Sequence, residues 1–326
     1  MRTRLDQTDV RCLAEAFELG EVEGWAEIPA GTINSNHRVD AGGRRWFVRV
    51  NEGKSEADVR WEAALVDELA ARGVATPRPR RAKDGAPLVP RRDRWISVFP
   101  WIPGAHREAG EVSPGDAREV GRALARLHLA GAGLADRFAR EGIYTTGHIA
   151  ARHAALLGDV RAAGDPALAP ALEAAGEELA WLAGRAARRA EAPRGIIHGD
   201  LFRDNVLFDG DRLAALLDFE QASSGAWIYD LAVCVNAWCF DRDVEPERAR
   251  AMVAGYRAER ALAPVEEELF PVELRAAAVR FLVTRITDVH LPGADLPGKD
   301  FRRYLARLER WRALGEAELV AWARAG

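Results

Sequence analysis

Lysine is nearly missing from this chain. Of its 46 basic residues only Lys54, Lys83 and Lys299 are lysine, so arginine supplies almost every cation, most simply through genome composition. Cysteine is scarce too: Cys12, Cys234 and Cys239 are odd in number and lack the C-x-x-C pairing of a metal site or a secreted disulfide scaffold. Reduced thiols in a cytoplasm are expected. No run reaches the roughly 18 apolar residues of a spanning helix, and the opening MRTRLDQTDVRC holds no apolar signal-peptide segment. A soluble, untargeted, cytoplasmic protein is therefore expected. A net charge of -4 leaves no basic footprint for nucleic acid or an anionic membrane, which points instead to a small-molecule partner.

What is present is bulk. With 326 residues and 48% hydrophobic content, the chain can bury a large core, and its length suggests two lobes. Leu5, Val10, Leu13, Ala16 and Phe17 recur at helical spacing; Trp25 to Pro29, Asn36 to Val39 and Arg45 to Val50 then read as strands. A helix is expected over Ser55 to Arg72, stopped by Gly73 and the prolines beyond, and another strand over Arg94 to Phe99. Pro100-Trp101-Ile102-Pro103-Gly104 reads as a hinge, because two prolines and a glycine oppose helix on both sides. Beyond it the pattern is helical over Ala117 to Leu129, His148 to Leu157 and the Ala-rich, exposed-looking Leu168 to Ala190, and again from Ala226 to Trp322. The expected division is a lobe over 1–99, a hinge over 100–104 and a lobe over 105–326.

One segment carries chemistry. GIIHGDLFRDNVLF (Gly195 to Phe208) sets His198, Asp200 and Asn205 between apolar runs, and the Asp209-Gly210-Asp211 turn makes a hairpin with Leu213 to Leu217. The hairpin returns Asp218 toward Asp200 and Asn205. Two carboxylates and an amide are hard-oxygen groups, suited to Mg²⁺ on nucleotide phosphates, with one carboxylate left to receive a hydroxyl proton.

This order, His-x-Asp-Leu-x-x-x-Asn and then Asp-Phe, is the pattern of eukaryotic-like kinases. The variant His198-Gly199-Asp200 resembles the aminoglycoside phosphotransferase superfamily. Further blocks, GTINSNHRV from Gly31, RVNEGKSEADVRWEAALVDELAARG from Arg49, YDLAVCVNAWCF from Tyr229 and RFLVTRITDVHLPG from Arg280, look like its homoserine kinases. The resemblance implies an α+β, bilobal, protein-kinase-like fold: a small antiparallel-sheet lobe with one main helix and a mainly helical second lobe. It implies Asp200 as catalytic base, Asn205 and Asp218 as metal ligands, His198 as a prop for the loop and Asp230 as its backbone anchor. ATP and Mg²⁺ are the implied cofactors, and phosphorylation of homoserine the implied reaction. Rival readings are another small-molecule kinase (aminoglycoside, amino alcohol or sugar) and a non-catalytic nucleotide-binding regulator. Monomer and dimer both stay open.

For the nucleotide, Gly31, Asn34, Ser35 and Asn36 fall on a loop between strands suited to phosphate oxygens, with Phe99 and Trp101 beside the hinge. Kinases present a strand Lys paired with a helix Glu; here that strand, Trp46 to Val50, holds Arg49 instead, with Glu62 as expected partner and Glu56 and Glu68 as rivals. A homoserine pocket needs an Arg and an acid. Arg280, Arg285 and Asp288 are candidates from the family-like block, and Arg203, Asp204 and Glu220 by proximity.

Overall fold

A computed structural model of the chain describes residues 3–29, 34–294, 296 and 298–325. Two compact units emerge from its contacts: Met1–Ala105 with Leu207–Asp209 and Ala214–Glu220, and His106–Val206 with Gly210–Leu213 and Gln221–Gly326. Relative to the expected division, part of the hairpin joins the first unit. The reason is hydrogen bonding: Ala105 and Phe208 exchange backbone bonds at 2.9 Å each, and Leu216 N–H donates to Ala75 O at 2.7 Å. Gly104, at φ 147°, permits the first of these, since a Cβ there would stand 2.9 Å from Phe208 O.

The first unit opens with α1 (Gln7–Ala16), capped by reciprocal Asp6–Asp9 bonds. It continues through β1 (Val22–Ile28), β2 (Ser35–Ala41), β3 (Arg44–Asn51), α2 (Glu56–Ala71), β4 (Val89–Arg91) and β5 (Arg94–Pro100). The strands form one antiparallel sheet in the order β1-β2-β3-β5-β4. Strand alternation decides the rest. Val48, Val50, Ile96 and Val98 bury one face with Val10 and Leu13 of α1 and Phe17 at its C-terminal cap, which leaves Phe47 and Arg49 on the other. The three-residue β4 was not expected from the sequence.

The second unit is mainly helical: α3 (Pro114–Gly131), α4 (Thr146–Leu157), α5 (Val160–Ala163), α6 (Ala169–Ala183) and α7 (Ala186–Ala190) precede β6 (Arg194–Ile197). Next in the chain come the hairpin strands β7 (Val206–Asp209) and β8 (Arg212–Leu216), which belong largely to the first unit, then β9 (Ser223–Ala226), which pairs antiparallel with β6. Next come α8 (Trp227–Trp238), α9 (Pro246–Glu259), α10 (Pro264–Arg285), α11 (Arg302–Leu314) and α12 (Glu316–Arg324). Two expectations are corrected. The Ala-rich segment is two helices broken at Gly184–Arg185, and it buries Leu172, Leu179 and Leu182 rather than standing wholly exposed. The helical tail is interrupted by a π turn over Ile286–His290 and by irregular chain before α11. Among the described residues no helix is long and apolar enough to cross a membrane.

Candidate active site

In the first unit five charged side chains form one cluster. Arg49 Nη1 lies 3.1 Å from Glu62 and 3.4 Å from Asp218; Lys54 Nζ lies 3.5 Å from Glu62 and 2.6 Å from Glu220. Burial works against the Arg49 charge, but Asp218, Glu62 and Glu220 together hold its pKa above the ordinary value. Its guanidinium also stands 5.9 Å from the ring centres of Phe47 and of Phe99, which face each other in the β3–β5 register. The packing of α2 selects Glu62 over its rival Glu56, which pairs with Arg60 on the exposed side of α2. Asp218 sits at φ 61°, a left-handed conformation that only a supporting structure maintains in a residue other than glycine.

The loop after β6 is held from inside the second unit. Asp230, fully buried in the first turn of α8, accepts from the His198 and Gly199 amides at 2.7 and 2.8 Å. It lies 3.1 Å from His128 Nε2. Burial lowers the His128 pKa, and it works to raise that of Asp230, where His128 and the loop amides prevail and hold it low. A neutral imidazole beside a carboxylate then follows, with Nε2–H donating to Asp230. His128 Nδ1 must accept the Tyr256 hydroxyl proton at 2.7 Å, while Arg260 donates to the Tyr256 oxygen at 3.2 Å and pairs with buried Glu266. Every member of this chain is satisfied, the condition under which a buried polar network rigidifies what it touches. Gly199 adopts φ 75°, and a Cβ there would approach Gln221 O to 3.0 Å, so glycine is required between His198 and Asp200.

Asp200 follows with its side chain about one-third exposed (34%) and Arg280 Nη2 at 3.6 Å. Burial raises the Asp200 pKa, opposed by Arg280, His198 and Arg285. Arg280, buried in α10, also donates to Gly199 O and to Tyr229 OH, and its guanidinium packs over Tyr144 and Phe281. A cavity of about 290 Å³ opens beside this arginine, lined among others by Gly199, Tyr229, Arg189 and Glu273. Arg194 also lines it, and two of its charges already match, Arg189 making a bidentate pair with Glu273 at 2.7 and 2.8 Å. Asn205 immediately precedes β7, and its Nδ2 donates to Asp200 O at 2.8 Å, a bond that does not use the amide oxygen.

A carboxylate with a neighbouring amide, and a guanidinium–carboxylate pair, are residue types that phosphoryl transfer uses. Residues 24–267 match the profile of the phosphotransferase enzyme family. The chain belongs to that family. This phosphotransferase is 33% identical to a homoserine kinase of Parvibaculum lavamentivorans, with 96% of each chain covered. It is 36% identical to a homoserine kinase of Gluconacetobacter diazotrophicus, over 93% of this chain and 94% of the relative. A solved structure of an amicoumacin kinase in complex with AMP-PNP, Ca²⁺ and Ami superposes with a TM-score of 0.69 at 14% identity, covering 97% of this chain and 94% of that one, which shows the shared kinase-like fold.

The other sequence-derived candidates take varied places in the phosphotransferase. Gly31 lies outside the described residues. Asn34 donates to Glu220 at 3.2 Å and accepts from the Glu52 amide, so Glu220, a substrate candidate by proximity, is engaged by Asn34 and Lys54 in the first unit. Ser35 is buried and its hydroxyl is taken up by Glu52 and the Thr3 amide, which anchors the end of the loop. Asn36 stands opposite Arg49 in the β2–β3 register, and Trp101 lies under the Arg45 guanidinium. Arg203 donates to Ala237 O at 2.9 Å and Asp204 is exposed. Arg285 acts on Asp200 electrostatically, whereas Asp288, exposed, pairs with Arg152 at 2.9 Å. Sequence reasoning assigned no role to Lys54 in the resting structure, nor any to His128, Tyr256, Arg189, Glu273 or Arg307. Only Lys54 left a signal, as one of three lysines in an arginine-rich chain.

Proposed function

We propose that the protein transfers the γ-phosphoryl group of Mg²⁺-ATP to the hydroxyl of L-homoserine, in the cytoplasm. The observation that carries this reading is the 33 to 36% identity to homoserine kinases over at least nine-tenths of this chain, with Asp200, Asn205 and Asp218 all in place. Asp200 orients the acceptor hydroxyl and takes its proton as the new O–P bond forms; its raised pKa makes it a stronger base than an ordinary aspartate. The Asp230 network fixes the backbone around Asp200, so that less freedom has to be lost when the acceptor binds. Arg49, aimed by Glu62, meets nucleotide phosphate and offers a planar fork where other kinases use Lys.

The donor set fits a hard divalent cation. Asn205 has its amide oxygen to offer because its nitrogen is committed to Asp200 O, and Asp218 supplies the carboxylate that the kinase pattern implies for the metal. Mg²⁺, when bound, would supply charge neutralisation on the phosphates.

ADP release at fixed Mg²⁺-ATP tests the acceptor. L-Homoserine is expected to exceed 4-hydroxybutyrate and 3-amino-1-propanol by about 10² or more in kcat/KM, since each analogue leaves one site charge unpaired. Serine, one methylene shorter, is expected to be poor through misplacement of its hydroxyl. Faster turnover of kanamycin or choline, or no preference for homoserine over the amino alcohol, contradicts the assignment.

A further inference from the structure

Most of the charged groups described so far are matched; among the described residues Arg285, whose buried Nε has no hydrogen-bond partner, Arg203 and Arg307 have no ion-pair partner, and the last two lie together near the C-terminal end of α8. Arg203, three residues after Asp200, is half-buried with Nη1 donating to Ala237 O near the end of α8. Arg307 of α11 is 9% exposed, its guanidinium 5.0 Å from the Phe240 ring and 4.4 Å from the Tyr304 ring. Among the described residues neither has a carboxylate within 4 Å. They act on each other repulsively, and Arg303, one turn from Arg307, adds to the effect. Burial first, and this repulsion second, lower the Arg203 pKa, an unusual direction for arginine in this chain. The nearest acids have other engagements: Asp243 pairs with Arg310 at 3.1 Å, and Glu108 acts on Arg203 only from beyond ion-pair distance.

The negative end of α8 accounts for one cation, worth about 0.3 to 1 kcal/mol at a helix C-terminus. It does not account for two guanidiniums desolvated together. Such a pair lacks an anion. Chain connectivity says where the anion would lie: Arg203 is three residues after Asp200, so its backbone is within about 11 Å of it even if extended, and the turn bonds Phe202 N–H to Asp200 O at 2.8 Å and Asn205 N–H to Phe202 O at 3.0 Å shorten that span. An acceptor with its hydroxyl at Asp200 and a carboxylate a few bonds away brings that carboxylate within reach of these long side chains.

We propose that Arg203 and Arg307 form the subsite for the acceptor carboxylate and set the preference for a hydroxy amino acid over an amino alcohol. The inference rests on the homoserine reading for the identity of the anion. The cavity lined by Arg280 and Arg194 is the competing location; there Arg189 and Glu273 already form a closed pair and Arg280 is engaged by Gly199 O, Tyr229 and Asp200. Arg203 and Arg307 are open.

The test compares Arg307→Met and Arg203→Met, which keep most of the apolar stem, with wild type on L-homoserine and on 3-amino-1-propanol. Loss of a charged hydrogen-bonding partner is expected to lower kcat/KM for homoserine roughly 30- to 100-fold, and to leave the amino alcohol and KM for ATP nearly unchanged. Arg307→Lys restores part of the homoserine rate. Thermal unfolding supplies a readout apart from catalysis: without ligand, Arg307→Met is expected to melt no lower than wild type because repulsion is relieved. 4-Hydroxybutyrate, exchanged for chloride at constant ionic strength, is expected to raise the wild-type Tm and not that of the variant. Parallel loss on both acceptors, an unchanged homoserine rate, or a 4-hydroxybutyrate shift surviving in Arg307→Met overturns the subsite. If wild type fails to phosphorylate homoserine at all, the functional reading falls, and the 4-hydroxybutyrate shift alone decides the anion site.

Discussion

The two ends of α8 handle charge in opposite ways. At its N-terminal turn Asp230 is surrounded by donors, two loop amides and His128, and behind them Tyr256, Arg260 and Glu266 close the network. At its C-terminal end Arg203 and Arg307 meet only carbonyl and aromatic faces. A network that is complete without ligand holds geometry, whereas an incomplete one stores affinity for what is missing. One 12-residue helix, about 18 Å long, thus separates the network that holds the loop around Asp200 from the proposed acceptor subsite.

Breaking the complete end is expected to have the largest effect. Asp230→Ala orphans two buried amides and His128, and is expected to cost about 3 to 5 kcal/mol of stability in denaturant unfolding, along with most of kcat. The contrast sharpens if Arg307→Met, at the other end, leaves unfolding unchanged. Arg49→Ala extends the comparison to the first unit, where the cluster is matched in advance. Removing the guanidinium there is expected to raise KM for ATP and lower kcat, together by about 10² in kcat/KM (ATP), with little change in Tm because Lys54 still serves Glu62. Wild-type kinetics in that variant would reassign phosphate binding to Lys54.

A smaller effect concerns Glu52. Burial works to raise its pKa, but hydrogen bonds from Thr3, Ser35 and Arg94 prevail and bring it to about 2. A carboxylate whose folded pKa lies below its unfolded value stabilises the fold above the unfolded pKa and loses that contribution as pH falls toward the folded one. Glu52→Gln is therefore expected to be less stable than wild type at neutral pH by on the order of 2 kcal/mol, after allowing for solvent screening. The difference should shrink between about pH 4.5 and 2, as acid titrations of unfolding would show.

The hairpin and the alternation of β3 were legible because turn residues and a two-residue period are local properties. Helical spacing did not by itself separate Glu62 from Glu56 and Glu68; only the packing of α2 shows which carboxylate reaches Arg49. The three- and four-residue strands β4 and β9 carry too few positions to show a period. The network on Asp230 was illegible for another reason: His128, Tyr256 and Arg260 lie 102 residues before and 26 and 30 residues after it, and nothing local links them. Arg307, more than 100 positions from Asp200, is one arginine among many until the tertiary fold leaves it without a partner.

Phosphorus NMR of the reaction of Mg²⁺-ATP with L-homoserine, run on wild type and on Asp200→Asn, tests the central claim most directly. Wild type is predicted to convert the γ-phosphate into a homoserine phosphomonoester. Asp200→Asn is predicted to bind ATP as before yet form that product at least about 10² times more slowly, the loss expected of a positioned base. Absence of the phosphomonoester with wild type, or near-normal formation with Asp200→Asn, would contradict the account.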